Sequence, residues 1–90
     1  MRTGTGVDIA RLKALIGNGR YAEAVAVFDS IPDPRHLDGT AFYLWGRAAA
    51  ALGQSEIAET AYRHALAKDR KHVPALVGLA NLLLNSGRVG

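Results

Sequence analysis

The amino-acid sequence predicts an all-α fold, an α-solenoid of antiparallel helix pairs with about five helices. Chemically related residues recur at an interval of 34, as Gly19, Gly53 and Gly87 do. Between these glycines, the apolar residues follow the three-to-four-residue spacing of one helical face. A period of this length is typical of repeat proteins, in which each unit buries its apolar face against the next.

The same interval relates further positions, most of which hold apolar or small residues. They are Leu12, Gly46 and Ala80; Leu15, Ala49 and Leu83; Ala24 and Ala58; Phe28 and Tyr62; and Ile31 and Ala65. The sequence therefore predicts a single domain over 1–90, with repeat 1 at about 5–38, repeat 2 at about 39–72 and a half repeat 3 at about 73–90.

Helix breakers and capping residues set the bounds of the first two helices. The first is predicted over about 7–16, with Thr5 as its N-cap. The second is predicted over about 21–30 and is ended by Pro32 and Pro34, since proline removes a backbone donor and clashes with the preceding turn.

The remaining three helices are bounded in the same way. The third begins near residue 39 after the cap Asp38 and ends at Gly53. The fourth covers about 55–68, with cations near its C-terminus, where the helix dipole favours them. The fifth begins near Pro74, a favourable first-turn residue, and stops at Ser86.

Composition and charge narrow the classes of protein. The chain has a net charge of +3. It has no cysteine, and this absence excludes disulfides and thiolate chemistry. The N-terminus lacks the apolar segment of a signal peptide. The longest apolar stretch, 73–84, contains Pro74, Gly78 and Asn81 and is shorter than the ~20 residues that span a bilayer. We expect a cytoplasmic protein with no membrane anchor.

The second unit resembles the tetratricopeptide repeat family, in which large and small residues alternate between two helices. The residues that carry the resemblance are Phe42, Gly46, Gly53, Ala58, Tyr62 and Ala65. The resemblance implies a right-handed superhelix of helix pairs, with a concave face lined by the first helix of each pair. It also implies a scaffold that binds a partner protein or peptide.

Two departures from the family pattern have physical explanations. Trp45 stands where the family has leucine and Ala49 where it has an aromatic residue, a swap that conserves core volume, so Trp45 is interpreted as a packing residue. In the first unit, Asp8 and Arg11 replace large residues. A first repeat has no preceding neighbour, so these polar side chains predict a solvated end cap.

A partner-binding groove is predicted on the concave face. Its rows of residues at the 34-residue interval are Ile9, Tyr43 and Val77; Lys13, Arg47 and Asn81; and Ile16, Ala50 and Leu84. Cations and an amide can hydrogen-bond to the backbone or the carboxylates of an extended peptide. The candidate groove residues are Lys13, Tyr43, Arg47, Val77 and Asn81. The alternative is that Lys13 and Arg47 are only solvated.

The fifth helix is apolar on nearly every side. Leu76, Leu79 and Leu83 are expected to pack on the fourth helix, which leaves other apolar residues uncovered. The predicted interface with a next repeat or another copy consists of Val77, Leu82 and Leu84. Three explanations stay open: the chain is part of a longer protein, it forms a homo-oligomer through this helix, or the helix is a tolerated apolar cap.

Catalytic, cofactor and metal sites are not predicted. The serines lie at helix ends with no evident base, and His36, His64 and His72 do not have the spacing of metal ligands on one helix. Two alternatives to a scaffold remain: a recruitment or assembly module of a larger enzyme, and nucleic-acid binding by the basic cluster at 63–72. The second is disfavoured because aromatic residues for base stacking are not near the cluster.

Overall fold

The computed structural model describes residues 9–31 and 33–85 and confirms the all-α fold class. Within these residues there are five α-helices, one short 3₁₀ helix and no strand. The α-helices are α1 (Ile9–Gly17), α2 (Tyr21–Asp29), α3 (Gly39–Ala51), α4 (Ser55–Lys68) and α5 (Val73–Asn85), and the 3₁₀ helix is Pro34–His36. Each α-helix packs on the next, so the chain forms a stack of helical hairpins.

The turns within the two hairpins have the same backbone structure. Gly19 and Gly53 have φ angles of 78° and 79°, in the left-handed region that glycine adopts without steric penalty. The bonds that close these turns run from Arg20 N to Leu15 O at 2.8 Å and from Gln54 N to Ala49 O at 2.9 Å. These bonds are the Schellman pattern of a helix C-terminus, repeated after 34 residues.

The predicted bounds of α3 and α4 are confirmed. The Asp38 carboxylate accepts a hydrogen bond from the Ala41 backbone N–H at 2.9 Å, as expected of an N-cap. The predicted cap Thr5, the breaker Pro32 and the stop at Ser86 lie outside the described residues.

Two local features were not predicted. The 3₁₀ helix after α2 is started by Asp33, whose carboxylate accepts a hydrogen bond from the Arg35 backbone N–H at 3.1 Å. Helix α5 begins one residue before Pro74, because His72 acts as its N-cap. The His72 Nδ1 atom accepts a hydrogen bond from the Ala75 N–H at 3.2 Å. Imidazole capping is less readily recognised in a sequence than capping by aspartate or serine.

The Tyr62 ring connects three helices. It projects from α4, is 3% exposed and lies against a glycine of α3 and a glycine of α5. A Cβ atom at Gly46 would lie 2.6 Å from Tyr62 Cε1, and a Cβ atom at Gly78 would lie 2.7 Å from Tyr62 Cζ. Both distances are too short for a side chain, so the close approach of the helices to this ring requires the absence of both Cβ atoms.

The orientation of α5 differs from the prediction. Leu82, which was expected to be uncovered, is 8% exposed, while Leu76, which was expected to pack on α4, is 46% exposed. The helix turns the side that carries Ala75 and Gly78 towards the stack. The physical reason is the Tyr62 ring, which only a glycine can approach this closely, so the bulkier Leu76 is rotated outward.

We expect Gly46→Ala to destabilise the fold. Overpacking a core costs about 1 to 3 kcal/mol, and the gain in helix propensity offsets about 1 kcal/mol of this cost. A Cβ atom 2.6 Å from the Tyr62 ring places the cost at the upper end of this range, so the net decrease in the free energy of unfolding should be about 2 kcal/mol, measured by urea denaturation. The matched control is Gly17→Ala, because nothing lies within 4 Å of a Cβ atom at that position. A loss of stability in the control as large as that in Gly46→Ala would contradict the packing argument.

Candidate functional site

The candidate site is a cleft between α3 and α5, which we call the α3–α5 cleft. Both helices pack on α4 and make fewer contacts with each other, so a space of about 550 Å³ opens between them. Four of the five predicted groove residues line it: Tyr43 and Arg47 from α3, and Val77 and Asn81 from α5. The structure thus brings together side chains that are 34 residues apart in the sequence.

The residues of α1 are placed differently. Lys13 is exposed on α1 and does not line the α3–α5 cleft. Ile16, which was expected in the third groove row, is 2% exposed and belongs to the core. Because α1 packs on both α2 and α3, this part of the helix is turned inward. Leu84, from the same predicted row, is 61% exposed.

The Tyr43 ring is held by two neighbouring rings. Its centroid lies 6.1 Å from that of Tyr62, with an interplanar angle of 36°, and 5.3 Å from that of His72, with an angle of 45°. Tilted aromatic pairs at these distances are favourable beyond the area they bury. Tyr43 therefore forms a positioned aromatic wall of the cleft, and a ligand would not have to order it.

Arg47 supplies the charge of the cleft. Among the described residues that line it, this exposed guanidinium is the charged group. Burial raises the pKa of the Tyr62 hydroxyl, nearby Tyr43 raises it further, and the positive charge of Arg47 lowers it. Arg47 therefore acts on a group that lines the same cleft. Asn81, also exposed, adds an amide that can both donate and accept hydrogen bonds.

Several further lining residues were not recognised as part of the site. Tyr62, Gly78 and Leu82 all line the cleft, although Tyr62 was predicted only as a core residue and Leu82 as an exposed one. Gly78 was the signal in the sequence that could have identified them. A glycine in the interior of a helix lowers its stability, so its presence indicates that another group packs closely against it.

The opposite face of α3 carries Trp45. Its interpretation as a packing residue is confirmed, since the indole ring is stacked on Phe28 at 5.0 Å and on Phe42 at 6.3 Å, with interplanar angles of 3°. Trp45 and Phe42 also line a second, mainly apolar space of about 340 Å³ beside α4. The buried Trp45 Nε1 atom has no hydrogen-bond partner among the described residues.

The histidines have local roles. His36 lies 3.2 Å from the Asp33 carboxylate, His64 is stacked on Phe42 with ring centroids 5.0 Å apart, and His72 caps α5. Within residues 9–31 and 33–85, no group of three histidine, aspartate or glutamate side chains is placed to hold a metal ion.

Members of the basic cluster at 63–72 also have partners within the chain. Arg63 forms an ion pair with Glu59 at 3.0 Å. The Lys68 ammonium donates a hydrogen bond to the Arg35 carbonyl at 2.7 Å and so connects the end of α4 to the 3₁₀ helix. These contacts give the cations a structural explanation that does not require a nucleic acid.

Comparison of the chain with protein-family models, curated proteins and solved structures finds no match. The resemblance to tetratricopeptide repeats therefore depends on the residues themselves. The structure shows the repeated glycine turn and the stack of helical hairpins. Separately, the helices of the described part of the chain are too short or too polar to cross a membrane.

The raised pKa of Tyr62 predicts a loss of stability in alkaline solution. Tyrosine ionises near pH 10.0 in the unfolded chain and at a higher pH in the fold. The contribution of this group to stability is therefore complete below about pH 10 and is lost as the pH rises through the folded-state pKa.

Tyr62→Phe tests this expectation, because it removes the ionising hydroxyl and keeps the ring. The free energy of unfolding of the parent should fall relative to that of Tyr62→Phe as the pH is raised above 10, measured by urea denaturation at each pH. Tyr21→Phe, which removes a hydroxyl from a partly exposed ring of α2, is the control. Parallel curves for the parent and Tyr62→Phe would show that Tyr62 does not couple stability to pH.

Proposed function

We propose that this chain is a protein-interaction module of the tetratricopeptide type, which binds an extended segment of a partner protein in the α3–α5 cleft. The observation that supports this most directly is the convergence of Tyr43, Arg47, Val77 and Asn81 on one cleft. The cleft lies between the first helices of successive units, which is where the family resemblance predicts the binding face.

The charged, amide and apolar groups of the cleft indicate which residues the bound segment should contain. Arg47 can make a charge-assisted hydrogen bond to a carboxylate, and Asn81 can pair with a backbone amide through both its donor and its acceptor. Val77 is 51% exposed and lines the same cleft as the positioned ring of Tyr43, so the two can hold an apolar side chain. The preferred partner segment is extended, with an acidic residue next to an apolar one.

By the 34-residue interval of the sequence, Lys13 extends this row by one hairpin. Because it lies on α1, outside the cleft, its contribution depends on the length of the bound segment. A segment that continued past α3 towards α1 would reach Lys13, whereas a short one would leave it solvated. Lys13, which the sequence predicted as a groove residue, is therefore a secondary contact.

Selection from a library of random peptides tests the proposal. We expect the binders to contain an aspartate or glutamate beside an apolar residue. Arg47→Glu should weaken their binding by about 10-fold or more, since a hydrogen bond to a charged group contributes about 1.5 to 3 kcal/mol. Binding is measured by isothermal titration calorimetry with the strongest selected peptides.

The matched control is Arg20→Glu, the same charge reversal in the turn between α1 and α2. Arg20 forms only an exposed ion pair with Glu23 at 3.3 Å, which adds little to stability. Asn81→Ala should weaken binding without any change in net charge, which separates local contacts from a general effect of charge. Peptides that bind the parent, Arg47→Glu and Asn81→Ala equally well would contradict the assignment of the cleft.

A further inference from the structure

The exposed side of α5 is a continuous apolar surface, which we call the α5 stripe. Its members, at the spacing of one helical face, are Val73, Leu76, Val77, Ala80, Leu83 and Leu84. Val73 and Leu84 are each 61% exposed, Leu76 is 46% exposed and Leu83 is partly buried. Helix α5 contains no charged residue, so another α5 stripe could approach it without like-charge repulsion.

Comparison with α3 indicates what the stripe lacks. The positions 34 residues before Leu76, Ala80 and Leu83 are Phe42, Gly46 and Ala49, all of which are buried. In α3 this side is covered by α4, through the Tyr62 ring on Gly46 and the His64 ring on Phe42. In α5 the corresponding side is not covered by a helix among the described residues.

A helix like α4 would not fit the α5 stripe in the way that α4 fits α3. The Tyr62 ring approaches α3 only because Gly46 has no Cβ atom, which would lie 2.6 Å from the ring. The corresponding residue of α5 is Ala80, which has a Cβ atom. A ring could not approach Ala80 as closely as Tyr62 approaches Gly46, so a helix that packs this closely on the stripe must present a small residue at this point.

A second α5 stripe presents such a small residue, Ala80. Large residues of the stripe are arranged symmetrically on either side of it. Leu76 and Leu84 lie four residues before and after Ala80, and Val77 and Leu83 lie three residues before and after it. Side chains three and four positions away share a face with Ala80. In an antiparallel pair of such helices, a two-fold axis at Ala80 would place Leu76 of one copy at the same level as Leu84 of the other.

We propose that two copies of this chain associate through the α5 stripe, with antiparallel α5 helices related by a two-fold axis at Ala80. The two Ala80 residues face each other and allow a close approach. Leu76 packs beside Leu84 of the second copy. Such an interface is isologous, so it closes as a dimer and does not propagate.

The size of the stripe sets the strength of this association. One helical face per chain buries less than the roughly 1,200 to 2,000 Å² of a stable standard interface. The dimer is therefore weak, and monomer and dimer exchange at micromolar to millimolar concentrations. The weight-average mass from sedimentation equilibrium should rise with concentration from that of one chain towards that of two.

Substitutions with opposite charges test the antiparallel arrangement. Leu76→Lys and Leu84→Glu should each lower self-association by at least 10-fold, since each places an unpaired charge in the interface. An equimolar mixture of the two variants should recover a dimer, because the lysine of one chain then faces the glutamate of the other. A mixture of Leu76→Lys with Leu76→Glu should not recover it, since these positions do not meet in an antiparallel pair.

Ile57→Lys is the matched control, because Ile57 is 45% exposed, as Leu76 nearly is, but lies on α4. It should leave the association unchanged. The substituted stripe positions, Leu76 and Leu84, do not line the α3–α5 cleft, so peptide binding should be retained in these variants. Failure of this dimer is thereby distinguishable from failure of the proposed function. Helical circular dichroism confirms that each variant is folded.

Disulfide cross-linking provides an independent measurement. The chain has no cysteine, so a single introduced cysteine can form a disulfide only with the same residue of another copy. Under mild oxidation, Ala80→Cys should form a disulfide-linked dimer several times faster than Ile57→Cys, since facing residues at a two-fold axis meet the distance required for a disulfide. A mass that stays that of one chain up to millimolar concentration would overturn the proposal. Equal cross-linking of the two variants, or recovery of the dimer by Leu76→Lys with Leu76→Glu, would also overturn it.

Discussion

The position of the Tyr62 ring between two glycines is the constraint on which the rest of the structure depends. The ring projects from α4 and is approached by Gly46 from α3 and by Gly78 from α5. An aromatic side chain supplies much of the apolar area in a core of this size, while the two missing side chains allow the helices to come close. Three of the five α-helices in the described residues thus meet at this ring, and its effects extend to both proposed binding surfaces.

The α3–α5 cleft follows from this contact. Because both helices are held against α4, the space between them stays open, and the tyrosine ring forms part of its lining. Gly78 packs against the ring beside this space, and Tyr43 contacts the same ring from α3. The residues that stabilise the hairpin stack therefore also shape the surface on which a partner segment would bind.

The α5 stripe has the same origin. The helix must turn Gly78 towards Tyr62, so Leu76 and Leu84 are rotated away from the core. The repeat is therefore imperfect. The side of α3 that is covered by α4 corresponds to a side of α5 that lies on the surface. The larger residues of α5 on this side, and the Cβ atom of Ala80, prevent a neighbouring ring from approaching α5 as closely as Tyr62 approaches α3.

The sequence by itself determined the hairpin stack, because the 34-residue period, the glycine turns and the Asp38 cap are local signals that act within a few residues. It also identified Tyr43, Arg47, Val77 and Asn81 as residues of one face. Only the tertiary structure decided how α5 is rotated, and hence that Leu82 is buried and Leu76 exposed. That rotation depends on the fit between Tyr62 and Gly78, two residues on different helices whose contact leaves no periodic signal in the sequence.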